Sequence, residues 1–143
     1  MIKFVRTHEY AQIPKYQSEG AVGFDFHSCE EVFIRPFEFA VIPFGLQCEW
    51  TGSYELQIRG RSSGYRRGIV VPHGVGTVDP DYRGDLSLPV YNGTNSPIFI
   101  GIGERVAQGV LVPSYQTQII EVDVSELSET SRGSGGFGST GKH

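Results

Sequence analysis

The sequence predicts an all-β domain, a sandwich or barrel built from short strands. Three observations carry that expectation: helical periodicity is scarce, apolar residues recur at every second position, and turn-forming clusters separate them at the spacing such folds need. The alternating sets are Phe37, Phe39 and Val41; Leu56 and Ile58; Leu86, Leu88 and Val90; Ile98, Ile100 and Ile102; and Ile120, Val122 and Val124. Each reads as a short strand. Between them lie turn clusters such as Trp50-Thr51-Gly52-Ser53 and Tyr91-Asn92-Gly93-Thr94-Asn95.

One short helix is expected over 62–67, where serine can cap the start and Gly68 can end it. From Ser125 the composition shifts to Ser, Glu, Gly and Thr, and the last dozen residues hold five glycines and one large apolar side chain, Phe137. Such a segment buries too little surface to order itself. The expected division is therefore a β domain over 1–124 and a flexible arm over 125–143.

With 143 residues, the chain suits one domain, which at this length buries roughly 70% of its unfolded surface. Its longest apolar stretches fall far short of the roughly 20 residues of a membrane span, and the start lacks a basic region followed by an apolar core. A soluble, unprocessed protein without membrane contact is expected. The formal charge is −4 with Lys and Arg dispersed, so no basic stripe offers the surface that a nucleic acid polymer requires. Any basic group should then serve a local purpose. Cys29 and Cys48 show neither CxxC spacing nor scaffold density, and read as buried free thiols of a reducing compartment.

Five segments carry chemistry, each with a plainer alternative. Gly60-Arg61-Ser62-Ser63-Gly64 offers a cation, hydroxyls and free backbone N–H groups, which suit an anion, though a capped turn also accounts for it. Residues 74–84 read as a hairpin around Asp79-Pro80-Asp81. Glycines at 74 and 76 let a ligand approach backbone amides, and a carboxylate beside Tyr82 can activate water, but two aspartates flanking a proline also simply form turns. The tail from Arg132 to Lys142 presents backbone donors, hydroxyls and a guanidinium around Phe137, a phosphate cradle with a stacking ring, or else a linker. Its GxxxxGK match is rejected as a P-loop, because His143 replaces the Ser or Thr and no strand leads in. Ala21-Val22-Gly23-Phe24-Asp25-Phe26-His27-Ser28 and Glu104-Arg105-Val106-Ala107-Gln108-Gly109-Val110-Leu111 each pass alone as strand plus turn. His27, alternating with core-like Phe26, reads as an exposed or satisfied side chain rather than a catalytic one.

In order and spacing these five segments resemble the motifs of the trimeric dUTPase family, and they run through almost all of 21–141. The resemblance implies a distorted β-barrel or jelly-roll. It further implies a homotrimer whose active sites draw on all three chains, and Mg²⁺-dependent conversion of dUTP to dUMP and pyrophosphate. Carried over by position, Asp25 holds hydrated Mg²⁺ through water, with Gln108 assisting around the phosphates. Arg61, Ser62 and Ser63 bind the phosphate chain. Asp79 orients and deprotonates the attacking water and contacts the 3′-hydroxyl. Tyr82 packs against deoxyribose and excludes a 2′-hydroxyl, while the backbone of 73–78, Gly74 and Val78 included, accepts uracil. Phe137 covers the base, and Arg132, Gly138, Ser139 and Thr140 complete the arm's substrate contacts, chiefly at the γ-phosphate. Attack is in line at the α-phosphorus.

The chain departs from the family pattern at His73, where some members have asparagine, and at Gly109, where a bulky apolar residue is usual. Two other readings share the scaffold. A dCTP deaminase requires a glutamate where alignment places Pro89, which can neither take nor give a proton. A nucleotide-sensing or protein-binding module, with catalysis lost or secondary, is disfavoured by the joint presence of Asp25, Arg61, Asp79, Gln108 and Arg132. The expected location is the cytoplasm, or the interior of the host cell were the source viral.

Overall fold

A computed structural model describes residues 1–137 together with Ser139. Among the described residues twelve strands form: β1 (Ile2–Arg6), β2 (Lys15–Tyr16), β3 (Phe24–His27), β4 (Val32–Ile34), β5 (Phe39–Pro43), β6 (Leu46–Trp50), β7 (Tyr54–Gly60), β8 (Ile69–Val70), β9 (Val75–Val78), β10 (Ser87–Asn92), β11 (Ile98–Ile100) and β12 (Arg105–Pro113). The architecture is the all-β, jelly-roll-like class that the sequence predicts. Its ladders divide among four sheets, β2-β3-β12-β7-β9, β5-β10-β8, β1-β6 and β11-β4, and do not close into one barrel.

The alternating residues explain the core. Leu56, Leu88, Val90, Ile98 and Ile100 point inward and are buried, together with Phe26, Ile34, Ile42, Phe44 and Leu46. The Phe26 and Phe44 rings stack at 4.6 Å, and Phe24 meets Phe26 edge-on at 5.5 Å. Those ring pairs add to the area they remove from water. Asn92, fully buried, donates to the carbonyls of Ile34 and Ser96 at 3.1 and 2.8 Å and accepts from the Thr94 N–H at 2.9 Å. The 91–95 cluster is therefore the end of β10 and the turn that follows it, stitched to β4 through Asn92. Cys29 and Cys48 are buried and free, as expected, and burial pushes the Cys48 thiol up to about 11.

Ile102 falls past the end of β11 and is exposed, and four further details differ from the sequence reading. The helix is a 3₁₀ turn over Gly64–Arg67, shorter than 62–67; Ser63 takes the cap position without a side-chain cap bond, and Gly68 ends it at φ 74°. Around Phe39 the phase is inverted, since Phe39 and Val41 face outward while Ile42 enters the core, and Phe37 sits at φ 59° outside the strand. The set Ile120, Val122 and Val124 forms no strand: the last strand ends at Pro113, and Ile119, Ile120 and Val124 are exposed. Finally, 74–84 is not a paired hairpin. β9 joins β7 in the large sheet while β10 joins β5 and β8, so the Asp79-Pro80-Asp81 turn carries the chain from one sheet to another.

Candidate functional site

Two clefts of about 250 Å³ each hold predicted site residues, Arg61 and Ser63 in the first and Val78, Asp79 and Tyr82 in the second. The first is walled by Gly60, Arg61, Ser63, Gly64, Arg67 and Arg105. Beside it Asp25, only 8% exposed, receives Arg61 Nε at 3.4 Å and Arg105 Nη1 at 3.3 Å. Two guanidiniums thus face one carboxylate, and the excess positive charge suits a polyanion. Arg61 also donates to the Arg105 carbonyl at 3.2 Å, which fixes its direction. Arg67 pairs with Glu104 and donates to the Phe99 carbonyl at 2.6 Å. Ser62 is exposed at the same turn.

Strand pairing positions these groups. Gln108 on β12 stands opposite Asp25 on β3, and its Nε2 donates to the Gly60 carbonyl at 3.2 Å. Gly23 makes room for that amide, since a Cβ there would lie 2.8 Å from Gln108 Oε1. Gly109 answers the packing question raised by its departure from the family pattern. A Cβ at Gly109 would lie 2.4 Å from the Phe24 ring and 2.7 Å from Phe26, so these two rings fill the volume that a bulky residue fills elsewhere.

The second cleft holds His73, Gly76, Val78, Asp79, Tyr82 and Pro89 along its wall. Gly74 at φ 70° turns the chain into β9. Gly76 accommodates the imidazole, its virtual Cβ lying 3.2 Å from His73 Cε1. Gly84 does the same for the phenol: a Cβ there would lie 2.2 Å from Tyr82 Oη, which donates to the Asp85 carbonyl at 3.3 Å. Asp79 is exposed, and the Val78 side chain is buried.

One chain does not bring the two clefts together. Leu88 lines the first and Ser87 and Pro89 line the second, on opposite faces of β10. Along the β7–β9 ladder Arg59 pairs with Val75 and Leu56 with Val78, so Arg61 and Asp79 lie beyond opposite ends. Their backbones are roughly 20 Å apart at the usual strand rise, further than an arginine reaches. Among the described residues of the arm the bonds are local, Arg132 Nε to the Gly135 carbonyl at 2.8 Å and Ser139 N–H to the Gly136 carbonyl at 3.0 Å, and Phe137 is fully exposed. Gly138 and Thr140 lie outside the described residues.

Sequence reasoning missed Arg105, whose pairing with Asp25 follows only from the register of β12 on β3. It also misjudged His27. That residue is half-buried, its Nδ1 is buried without a hydrogen-bond partner, and burial, partly opposed by Asp25, pulls the imidazole below its usual range. As to metals, Asp25 and the Gln108 carbonyl oxygen are the hard oxygen donors that hydrated Mg²⁺ prefers. His8, Cys29 and Glu30, with ligand atoms within 4.8 Å of one another, form a softer set suited to other ions.

The fold and the paired clefts define a jelly-roll protein with a cationic pocket for a polyanion and a glycine-walled pocket beside a free carboxylate. The dUTPase family model matches residues 9–141. The deoxyuridine 5′-triphosphate nucleotidohydrolase of Nautilia profundicola is 46% identical over 142 residues, covering 99% of each chain. The protein of the same name from Helicobacter pylori is 44% identical over 141 residues, 98% of this chain and 96% of that one. A dUTPase of Staphylococcus bacteriophage 80alpha, solved with dUpNHpp, superposes with a TM-score of 0.90 at 24% identity, covering 99% of this chain and 98% of that one. A dUTPase of phage phi11, described with a structural Mg(II) ion, gives 0.82 at 21% identity, covering 91% and 99%. This chain belongs to the dUTPase family.

Proposed function

We propose that this protein hydrolyses dUTP to dUMP and pyrophosphate, with Mg²⁺, in a cytoplasmic homotrimer whose active sites are shared between chains. The observation that carries this reading is the separation of two complementary half-sites. One end of the β7–β9 ladder offers Arg61 and Arg105 around Asp25, the other offers Asp79 and Tyr82, and no single chain joins them. A neighbouring chain that sets its second cleft against the first, and a third that lays its arm across both, complete one site.

In that site the phosphate chain lies along Arg61, Ser62 and Ser63, whose donors offset the charge that builds at the α–β bridge. Asp25 would hold Mg²⁺ through water, with Gln108 assisting around the phosphates, and the ion would supply further charge neutralisation on the triphosphate. Asp79 takes a proton from the water as its oxygen bonds to the α-phosphorus, and the bridging oxygen leaves with pyrophosphate. Tyr82, held over Gly84, leaves no room for a 2′-hydroxyl. Backbone groups of Gly74 and Val78 meet uracil. Phe137 closes over the base, and Arg132, Gly138, Ser139 and Thr140 take the γ-phosphate end. Pro89 on the wall of the second cleft removes the proton carrier that deamination needs.

Pyrophosphate release tests the reading directly. With Mg²⁺ the protein should turn over dUTP and discriminate strongly against dCTP, dTTP and UTP, and EDTA should stop the reaction. Equal turnover of dCTP, or ammonia release from it, overturns the assignment.

A further inference from the structure

The chain is acidic, at −4, and its basic groups are dispersed, yet one hollow outside both clefts gathers three of them. Arg6 at the end of β1, Lys15 on β2 and His27 at the end of β3 line a space of about 240 Å³, with the amides of Gln12 and Gln17 and no acidic residue. Among the described residues neither the Arg6 guanidinium nor the Lys15 ammonium has a carboxylate within 4.0 Å or a side-chain hydrogen bond. Lys15 stands in register opposite Asp25, but the oxygens of that carboxylate are turned to Arg61 and Arg105, so the ammonium stays uncompensated.

His27 adds the second observation. Its Nδ1 is the buried side-chain nitrogen that finds no partner among the described residues. That nitrogen is closed to solvent, and it is the half-buried ring that lines the hollow. Two free cations, an imidazole ring and two amide side chains around one hollow are the recognition chemistry of a small tetrahedral oxyanion.

We propose that this hollow is an anion site for a phosphate-class oxyanion, inorganic phosphate or pyrophosphate, separate from the cleft around Arg61. The site does not rest on the dUTPase reading, and a protein inert toward dUTP should still show it.

Histidine side-chain NMR on the full-length protein, at constant ionic strength, tests it with inorganic phosphate and pyrophosphate as probes. The His27 ring resonances should shift and saturate with either, and the tighter of the two tells whether the hollow holds one phosphoryl group or two. Arg6→Met with Lys15→Met should weaken that response at least tenfold while leaving dUTP turnover unchanged. Lys15→Gln alone, an exposed change that leaves the fold intact, should weaken it severalfold. Arg61→Met should leave the His27 response in place. A His27 signal indifferent to both anions, or one that persists in the double variant, overturns the proposal. So does a response lost with Arg61, which would place the anion in the first cleft.

Discussion

The two ends of the β7–β9 ladder are built on different principles. At the Arg61 end the chain supplies its own partners: Asp25 is nearly buried and doubly paired, and Gln108 is tied to the Gly60 carbonyl. At the Asp79 end the carboxylate is exposed, and the glycines at 74, 76 and 84 leave space rather than contacts. In the proposed site, the group assigned to hold charge in place is prepaired within the subunit, whereas the one assigned to meet a water and a sugar is left open. The difference teaches which residues should tolerate change in structure but not in chemistry.

The largest effect should come from the open end. Asp79→Asn keeps the turn and its shape while removing the base, so turnover of dUTP should fall by roughly 10²-fold or more with nucleotide binding largely retained. Near-normal kcat in that variant would break the comparison, because the exposed carboxylate would then carry no chemistry. Next comes removal of 132–143, whose hydrogen bonds among the described residues are local. On the order of a 10–10²-fold loss in kcat is expected, with unfolding unchanged and dUMP affinity little altered, dUMP having no γ-phosphate to lose. Mixing Asp79→Asn chains with arm-deleted chains should restore part of the activity after subunit exchange. No recovery despite exchange would show that each chain completes its own site.

At the prepaired end the effects should appear in stability first. Gly109→Ala places a Cβ 2.4 Å from a buried phenylalanine ring, and overpacking of this kind costs about 1–3 kcal/mol, readable in urea unfolding. Unchanged stability would mean that the Phe24 and Phe26 rings have slack. The smallest effect belongs to Gly23→Ala, which crowds the Gln108 amide at 2.8 Å, a flexible group able to move aside. Less than about a tenfold rise in KM, with stability within ~0.5 kcal/mol, is expected. A larger loss in kcat would show that Gln108 acts on the transition state.

Much of this was legible in the sequence because alternation reports burial. Leu56, Leu88, Val90, Ile98 and Ile100 face the core as their spacing demands. Alternation does not report what covers an apolar face. Phe39 and Val41 repeat like core residues yet point outward, and Ile120, Val122 and Val124 alternate where the chain offers no strand to pair with them. Turn chemistry told that 79–81 bends but not that its two arms enter different sheets, since sheet membership depends on distant strands. Gly109 was unreadable for a related reason: only the packed structure shows that Phe24 and Phe26 compensate for it. The clustering of Arg6, Lys15 and His27 was likewise hidden, their strands being apart in sequence and adjacent only after folding.

The outward row on the three-stranded sheet has a consequence of mass action. Phe39 lies across from Tyr91, Val41 across from Pro89, and Val70 across from Tyr91, so their outer sides form one continuous apolar surface. Removing each exposed side chain of that size from water is worth about 1.5–3 kcal/mol, and the subunit alone leaves this gain unrealised. In the proposed trimer, folding and association are then one coupled equilibrium, and the midpoint of unfolding becomes a property of how much protein is present. Diluting the sample should lower the midpoint, and the size of that shift measures how much of the fold each subunit borrows from its neighbours.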